Sequence, residues 1–215
     1  MHTIIFLFTG TNSEKSAQLH AYLALLTRWN SRFNLTSSDS WGVLGPLFQE
    51  GIWASKFYPE NAVHHLDIGS GAGFPAMLLK ILKPAMNLDL VESRAKKGVF
   101  LETTADTLGL SGVHVHSMRL QTFLQQSDPQ KLWDCISWKA LKLGGQDIGM
   151  LLAHAGADTQ FWMFHGSEPA VEAPALVDQH FRLHCSERFF GRKLWNLASY
   201  LPKYTFHVKH VVPKN

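Results

Sequence analysis

The sequence predicts an α/β protein with a mostly parallel sheet and a helical cap at its N-terminal end. Three observations carry this. Residues 66–75, L-D-I-G-S-G-A-G-F-P, end an apolar run in three glycines and lead into apolar residues at helical spacing. From His64 onward, short apolar runs alternate with helical patterns, as in a parallel sheet covered by helices on both faces. Two helical patterns come before any strand. The expected division is a cap over residues 1–60 and an α/β domain over residues 61–215.

In order along the chain, Leu19, Tyr22, Leu23, Leu26 and Trp29 fall on one face of a helix that runs out near Asn34, Leu35 and Thr36. A second helix is expected over residues 44–57, stopping before Pro59. Strands are read at 64–68, 87–91, 113–116, 133–137 and 159–164, the last ending at Gly166. Helices are read at 95–108, 120–125 and 146–152. Residues 181–187 and 194–200, with a turn at Gly191, form a candidate hairpin. The tail from Lys203 shows no clear pattern.

Composition narrows the class. With 215 residues, 46% hydrophobic and 17% charged, the chain is globular and long enough to bury a substantial core. A net charge of +3 permits nucleic-acid binding without requiring it. The two cysteines, Cys135 and Cys185, form neither a metal-type pair nor a disulfide framework, which fits a reducing compartment. The apolar start at residues 4–8 is too short to span a membrane and lacks a signal peptide's basic flank. A cytoplasmic monomer is the expectation.

Chemistry should gather where the strands end. Gly69, Gly71 and Gly73 let a ligand approach the backbone without meeting a Cβ, and a strand, glycine turn and helix can aim N–H groups at it. No Gly-Lys-Ser/Thr follows, so this is not a phosphate-cradling loop, and G-x-G-x-G is one residue short of the dinucleotide fingerprint. Glu92, at the end of the second strand, is a candidate acceptor for both ribose hydroxyls; a solvated strand-end charge is the alternative. After the third strand, Leu120 and Gln121 are placed to hold an adenine. Trp138 and Lys139 end the fourth strand, where substrate and cofactor would meet, and Trp138 is a candidate stacking surface. Cys135 reads as a buried small hydrophobe. Arg94, Lys96 and Lys97 open a helix on this edge as candidate phosphate contacts or as a solvated face. The histidine pairs belong to no closed ligand set, so no metal is expected.

With Asp67 before the glycines, residues 67–75 resemble motif I of the Rossmann-like S-adenosylmethionine-dependent methyltransferases. The pattern W-N-x-x-x-N-L-T at Trp29 to Thr36, the glycine block, and Leu108-Gly109-Leu110 together resemble the glucose-inhibited division protein B family. These are bacterial methyltransferases of guanine N7 in small-subunit ribosomal RNA. The resemblance covers roughly residues 15–140. It implies a Rossmann-like seven-stranded fold with an N-terminal helical cap, S-adenosylmethionine as cofactor, and ribosomal RNA or the small subunit as partner. Cofactor contacts are expected at Asp67, Gly69, Ser70, Gly71, Gly73, Phe74, Glu92, Ser93, Leu120, Gln121 and Lys139, and substrate contacts at Asn34, Arg94, Lys97 and Trp138. No residue is assigned as catalytic, since guanine N7 attacks through an unprotonated lone pair.

The chain departs from that family in four places. Its R-H-x-x-D-S is Glu50-Gly51-Ile52-Trp53-Ala54-Ser55; its S-R-A is Trp138-Lys139-Ala140; its lysine-glycine is His165-Gly166; and the acid expected at Gln121 is an amide. The rival expectations are a methyltransferase of the same fold with another substrate, a non-catalytic RNA- or cofactor-binding protein, and a nicotinamide oxidoreductase.

Overall fold

The computed structural model describes residues 12–165, 181–190 and 194–202. The apolar start, Gly166, the turn at Gly191 and the tail from Lys203 lie outside them. Helices α1 (Ser13–Phe33) and α2 (Trp41–Ala54) precede β1 (His64–Ile68), α3 (Ala76–Leu82), β2 (Asn87–Val91), α4 (Ala95–Thr107) and β3 (Val113–His116). Then come α5 (Leu120–Gln126), β4 (Trp133–Lys139), α6 (Gly145–Leu152), β5 (Ala155–His165), β6 (Phe181–Phe190) and β7 (Leu194–Pro202).

The seven strands lie in the order β3-β2-β1-β4-β5-β7-β6. Strands β1 to β5 pair in parallel, and the β6–β7 hairpin joins β5 antiparallel. The order of strand addition reverses between β1 and β4, which opens a crevice at their carboxyl ends. Among the described residues no helix is long and apolar enough to cross a membrane.

Two cores cover the two faces of the sheet. On one, Leu19, Tyr22 and Leu26 of α1 and Leu44 and Phe48 of α2 pack with α3 and α4. On the other, α5 and α6 pack over Leu66, Ile68, Ile136 and Trp138. The cap therefore shares its core with the domain it precedes. Helix α1 starts where the Asn12 side chain accepts the Lys15 N–H at 2.9 Å, and ends where Asn34 turns left-handed at φ 47°. Alternation along β1 sends Leu66 and Ile68 to one face and His65 and Asp67 toward the cap. Helix α2 begins before residue 44 and ends before 57, because Ser55 and Lys56 already turn the chain toward Pro59.

Candidate functional site

The glycine turn wraps the carboxyl end of β1. Gly69, Gly71 and Gly73 all have positive φ (67°, 60° and 89°), a region that side-chain-bearing residues rarely occupy. A Cβ at Gly73 would come within 2.5 Å of Met77 and 2.8 Å of the Tyr22 hydroxyl, so this glycine is also required by packing against α1.

The turn's N–H groups are not the free donors the sequence led us to expect. Gly69 and Ser70 both donate to the Val91 carbonyl (2.8 and 3.2 Å), Gly73 donates to the Ser70 carbonyl (2.7 Å), and Gly71 donates to Glu92 Oε2 (2.9 Å). The loop's contribution is a close backbone wall whose own polar groups are satisfied. Glu92 is 6% exposed and stitches this loop to the end of β2, since its Oε1 accepts the Arg94 N–H at 2.8 Å. Each carboxylate oxygen keeps a further lone pair for a hydroxyl.

Two adjoining clefts of about 200 Å³ each share Gly69 as a wall. The first is lined by the ends of β1, β2 and β3, with Ser93, Leu120 and Gln121 on it, and by Leu141, Leu143 and Asp147 from the segment after β4. The second brings Asp67, Gly69, Ser70, Gly71 and Phe74 together with Leu35, Thr36 and Lys139. The cap motif explains its own presence here. The Asn30 side chain accepts the Thr36 N–H at 2.8 Å, folding the end of α1 back so that Leu35 and Thr36 face the second cleft. Trp29 anchors the turn on Phe100, with ring centroids 5.5 Å apart.

The electrostatics are concentrated beneath the second cleft. Lys139 Nζ meets Glu50 Oε1 at 2.6 Å, with Glu50 fully buried and the Lys139 side chain 11% exposed. Burial pushes the Glu50 carboxyl up and the Lys139 ammonium down, and each opposes the other's shift. Beside them, Ser137 Oγ donates to Asp67 Oδ1 at 2.5 Å, and His65 Nε2 lies 2.8 Å from Ser137 Oγ. Ser137 has one proton to give, so His65 must donate from Nε2. That ring is neutral, because burial depresses its pKa to about 3. Burial raises Asp67 to about 7, despite the Ser137 hydrogen bond and the nearby Lys139 charge.

The remaining expected residues divide. Lys97 reaches the loop: a Cβ at Gly71 would lie 3.9 Å from its Nζ. Asn34, Ser93 and Arg94 are exposed at this edge. Trp138 is a correction. It is 3% exposed and packs against Phe161, at 6.4 Å between centroids, so it offers no free face for a base. Alternation along β4 is the reason: Ser137 and Lys139 point to the cap side, and Trp138 points into the opposite core. Missing from the expectations were Glu50, Leu35, Thr36 and Asp147. Glu50 left a signal, being the lone charge in helix α2. Among the described residues no three His, Cys, Asp or Glu side chains gather as a metal site.

The clefts fit an elongated nucleoside ligand better than a compact one. The first mixes apolar side chains with Ser93, Arg119, Gln121, Lys142 and Asp147, and the second carries Asp67 and Lys139, in keeping with an adenosine joined to an amino-acid tail. A solved structure similar in fold is a mutant of MtNAS in complex with S-adenosylmethionine, with a TM-score of 0.58 at 14% identity, covering 87% of this chain and 76% of that one. The "Ribosomal RNA small subunit methyltransferase G" of Streptococcus thermophilus is 28% identical over 195 residues, covering 80% of this chain and 79% of the relative. The protein of the same name from Listeria monocytogenes is 31% identical over 187 residues, covering 79% and 76%. A family profile described as rRNA small subunit methyltransferase G matches residues 15–190, and the chain belongs to that family.

Proposed function

We propose that this protein is an S-adenosylmethionine-dependent methyltransferase acting on N7 of a guanine in small-subunit ribosomal RNA. The observation that carries the reading is the pair of clefts meeting at Gly69, the first mixing apolar and polar side chains at the strand ends and the second holding Asp67 and Lys139, with the cap motif on the wall of the second. When bound, the cofactor supplies a methyl group on a positively charged sulfur. The first cleft takes the adenosine, with Leu120 against the base and Glu92 and Ser93 toward the ribose. Asp67, on the wall of the second cleft, suits the ammonium of the amino-acid end.

The chain's work is then to align and to exclude water. Guanine N7 carries no proton, so no general base is needed, and a nucleophile held in line gains its rate from positioning. Leu35, Thr36 and Phe74 close the second cleft from the cap side, and Lys139, held by Glu50, stands where the base enters. Asn34, Arg94 and Lys97 lie on the rim as contacts to the RNA backbone, which position the substrate without reading its sequence. Cap and α/β domain, residues 1–60 and 61–215, act as one monomeric unit in the cytoplasm.

Transfer of labelled methyl groups from the cofactor to small subunits lacking this modification tests the reading, with the product mapped by cleavage at 7-methylguanine. Absence of label from small subunits and from their free RNA would refute it. A second reading, the same chemistry on another RNA, is favoured by the Glu50–Lys139 pair. It stands where the family carries R-H-x-x-D-S and an arginine, and label in a different RNA fraction would support it.

A further inference from the structure

One departure of this chain from its family is the amide at Gln121, where an acid is expected. The fold answers it from elsewhere. Helix α6 begins at Gly145, and its Asp147 enters the first cleft beside Gln121. Asp147 Oδ2 accepts the Gly144 N–H at 3.0 Å, which pins the carboxylate to the start of its own helix. Its Oδ1 accepts from Gln121 Nε2 at 2.5 Å.

A carboxylate only accepts hydrogen bonds. The Gln121 amide is therefore held with nitrogen toward Asp147, which takes one of its two N–H groups and leaves its carbonyl oxygen as the acceptor it can offer the cleft. Beside Ser93, Arg119 and Lys142, that wall carries the apolar side chains of Ile68, Val91, Met118, Leu120, Leu141 and Leu143, which suit the faces of a planar base. An acceptor at the edge of such a slot matches a purine with an exocyclic amino group at C6, and mismatches one with a 6-oxo group.

We propose that Asp147 is a specificity-determining positioning residue, which orients the Gln121 amide so that the cleft selects adenine over hypoxanthine. The proposal rests on the reading of this cleft as the adenosine half of the cofactor site.

The test compares binding of S-adenosylhomocysteine and S-inosylhomocysteine to the full chain by calorimetry. Wild type should prefer the adenine compound by about tenfold or more, the scale of one matched against one opposed buried hydrogen bond. In Asp147→Asn, the new side chain keeps the Gly144 bond through its oxygen and turns its amide nitrogen toward Gln121. The Gln121 amide then reverses, and the preference should fall to about threefold or less, or invert. In Asp147→Asn combined with Gln121→Glu, the asparagine donates to one carboxylate oxygen and the other faces the base, so the preference should return. A purely structural role for Asp147 would lower both affinities together and leave their ratio unchanged. An unaltered ratio in Asp147→Asn, or no recovery in the double variant, would overturn the proposal. Failure of wild type to bind either compound would overturn the cofactor reading and the proposal with it, a distinct outcome.

Discussion

Breaking the Glu50–Lys139 pair should cost far more than removing it whole. At 2.6 Å and an effective dielectric of about 20, the attraction is about 6 kcal/mol. Desolvating the two ions costs several kcal/mol each, so the intact pair contributes little net stability. Either single change takes from a buried charge the oppositely charged group 2.6 Å from it. We expect Lys139→Met or Glu50→Leu to cost about 3–5 kcal/mol, and the double variant to lie within about 1 kcal/mol of wild type. For a chain of this size the single losses correspond to a fall in Tm of about 6–20 °C.

The two singles should differ in pH dependence. In Lys139→Met, Glu50 has lost its cation, and burial holds its folded pKa above the unfolded value still more strongly than in wild type. The folded state then binds the extra proton, so stability is fullest below the unfolded glutamate pKa and falls as pH rises toward the folded one. Glu50→Leu has no such acid. Urea unfolding followed by tryptophan fluorescence at pH 5 and pH 8 measures both effects. Additive single losses, or a Lys139→Met penalty equal at the two pH values, would refute the reasoning.

Other outcomes follow from the same geometry. Because burial lifts Asp67 to about 7, wild type should lose stability as pH rises from about 4 to about 7, by up to about 1.4 kcal/mol per pH unit; Asp67→Asn should flatten that slope in urea titrations. Trp138→Ala should destabilise the fold by about 3–5 kcal/mol, as large-to-small core changes do, with no selective loss of RNA affinity in filter binding at temperatures where it stays folded. Arg94→Ala and Lys97→Ala should each reduce the salt slope of RNA binding by about 1. Arg94→Ala should leave calorimetric binding of S-adenosylhomocysteine unchanged, because the exposed Arg94 side chain lines neither cleft.

How far the sequence reached can be seen at particular residues. Strands β1 and β2 span the stretches read from the sequence, because both are interior to the sheet and bury four consecutive residues each. The glycine turn was equally plain, since positive φ at 69, 71 and 73 leaves glycine as the unstrained choice. Its hydrogen bonding was not. The donors it was expected to offer are taken by Ser70 within the turn and by Val91 and Glu92, the latter two set by how β2 lies beside β1. Trp138 was misplaced for a related reason. Its position at the end of a strand was legible, but its face depends on the register of the whole of β4, and the pairing with β5 shifts between Trp133 and Cys135.

By itself, the sequence determined the class of fold, the position of the glycine turn and the W-N-x-x-x-N-L-T motif of the cap, all of which are properties of contiguous stretches. Only the tertiary structure decided which charges meet. Glu50 finds Lys139 across 89 residues, and Asp147 finds Gln121 across 26. Each pair joins residues from different elements of the fold. A lost side chain near a cleft can be replaced by any element that the fold brings within hydrogen-bonding distance, and that replacement leaves no mark on the local sequence around the loss.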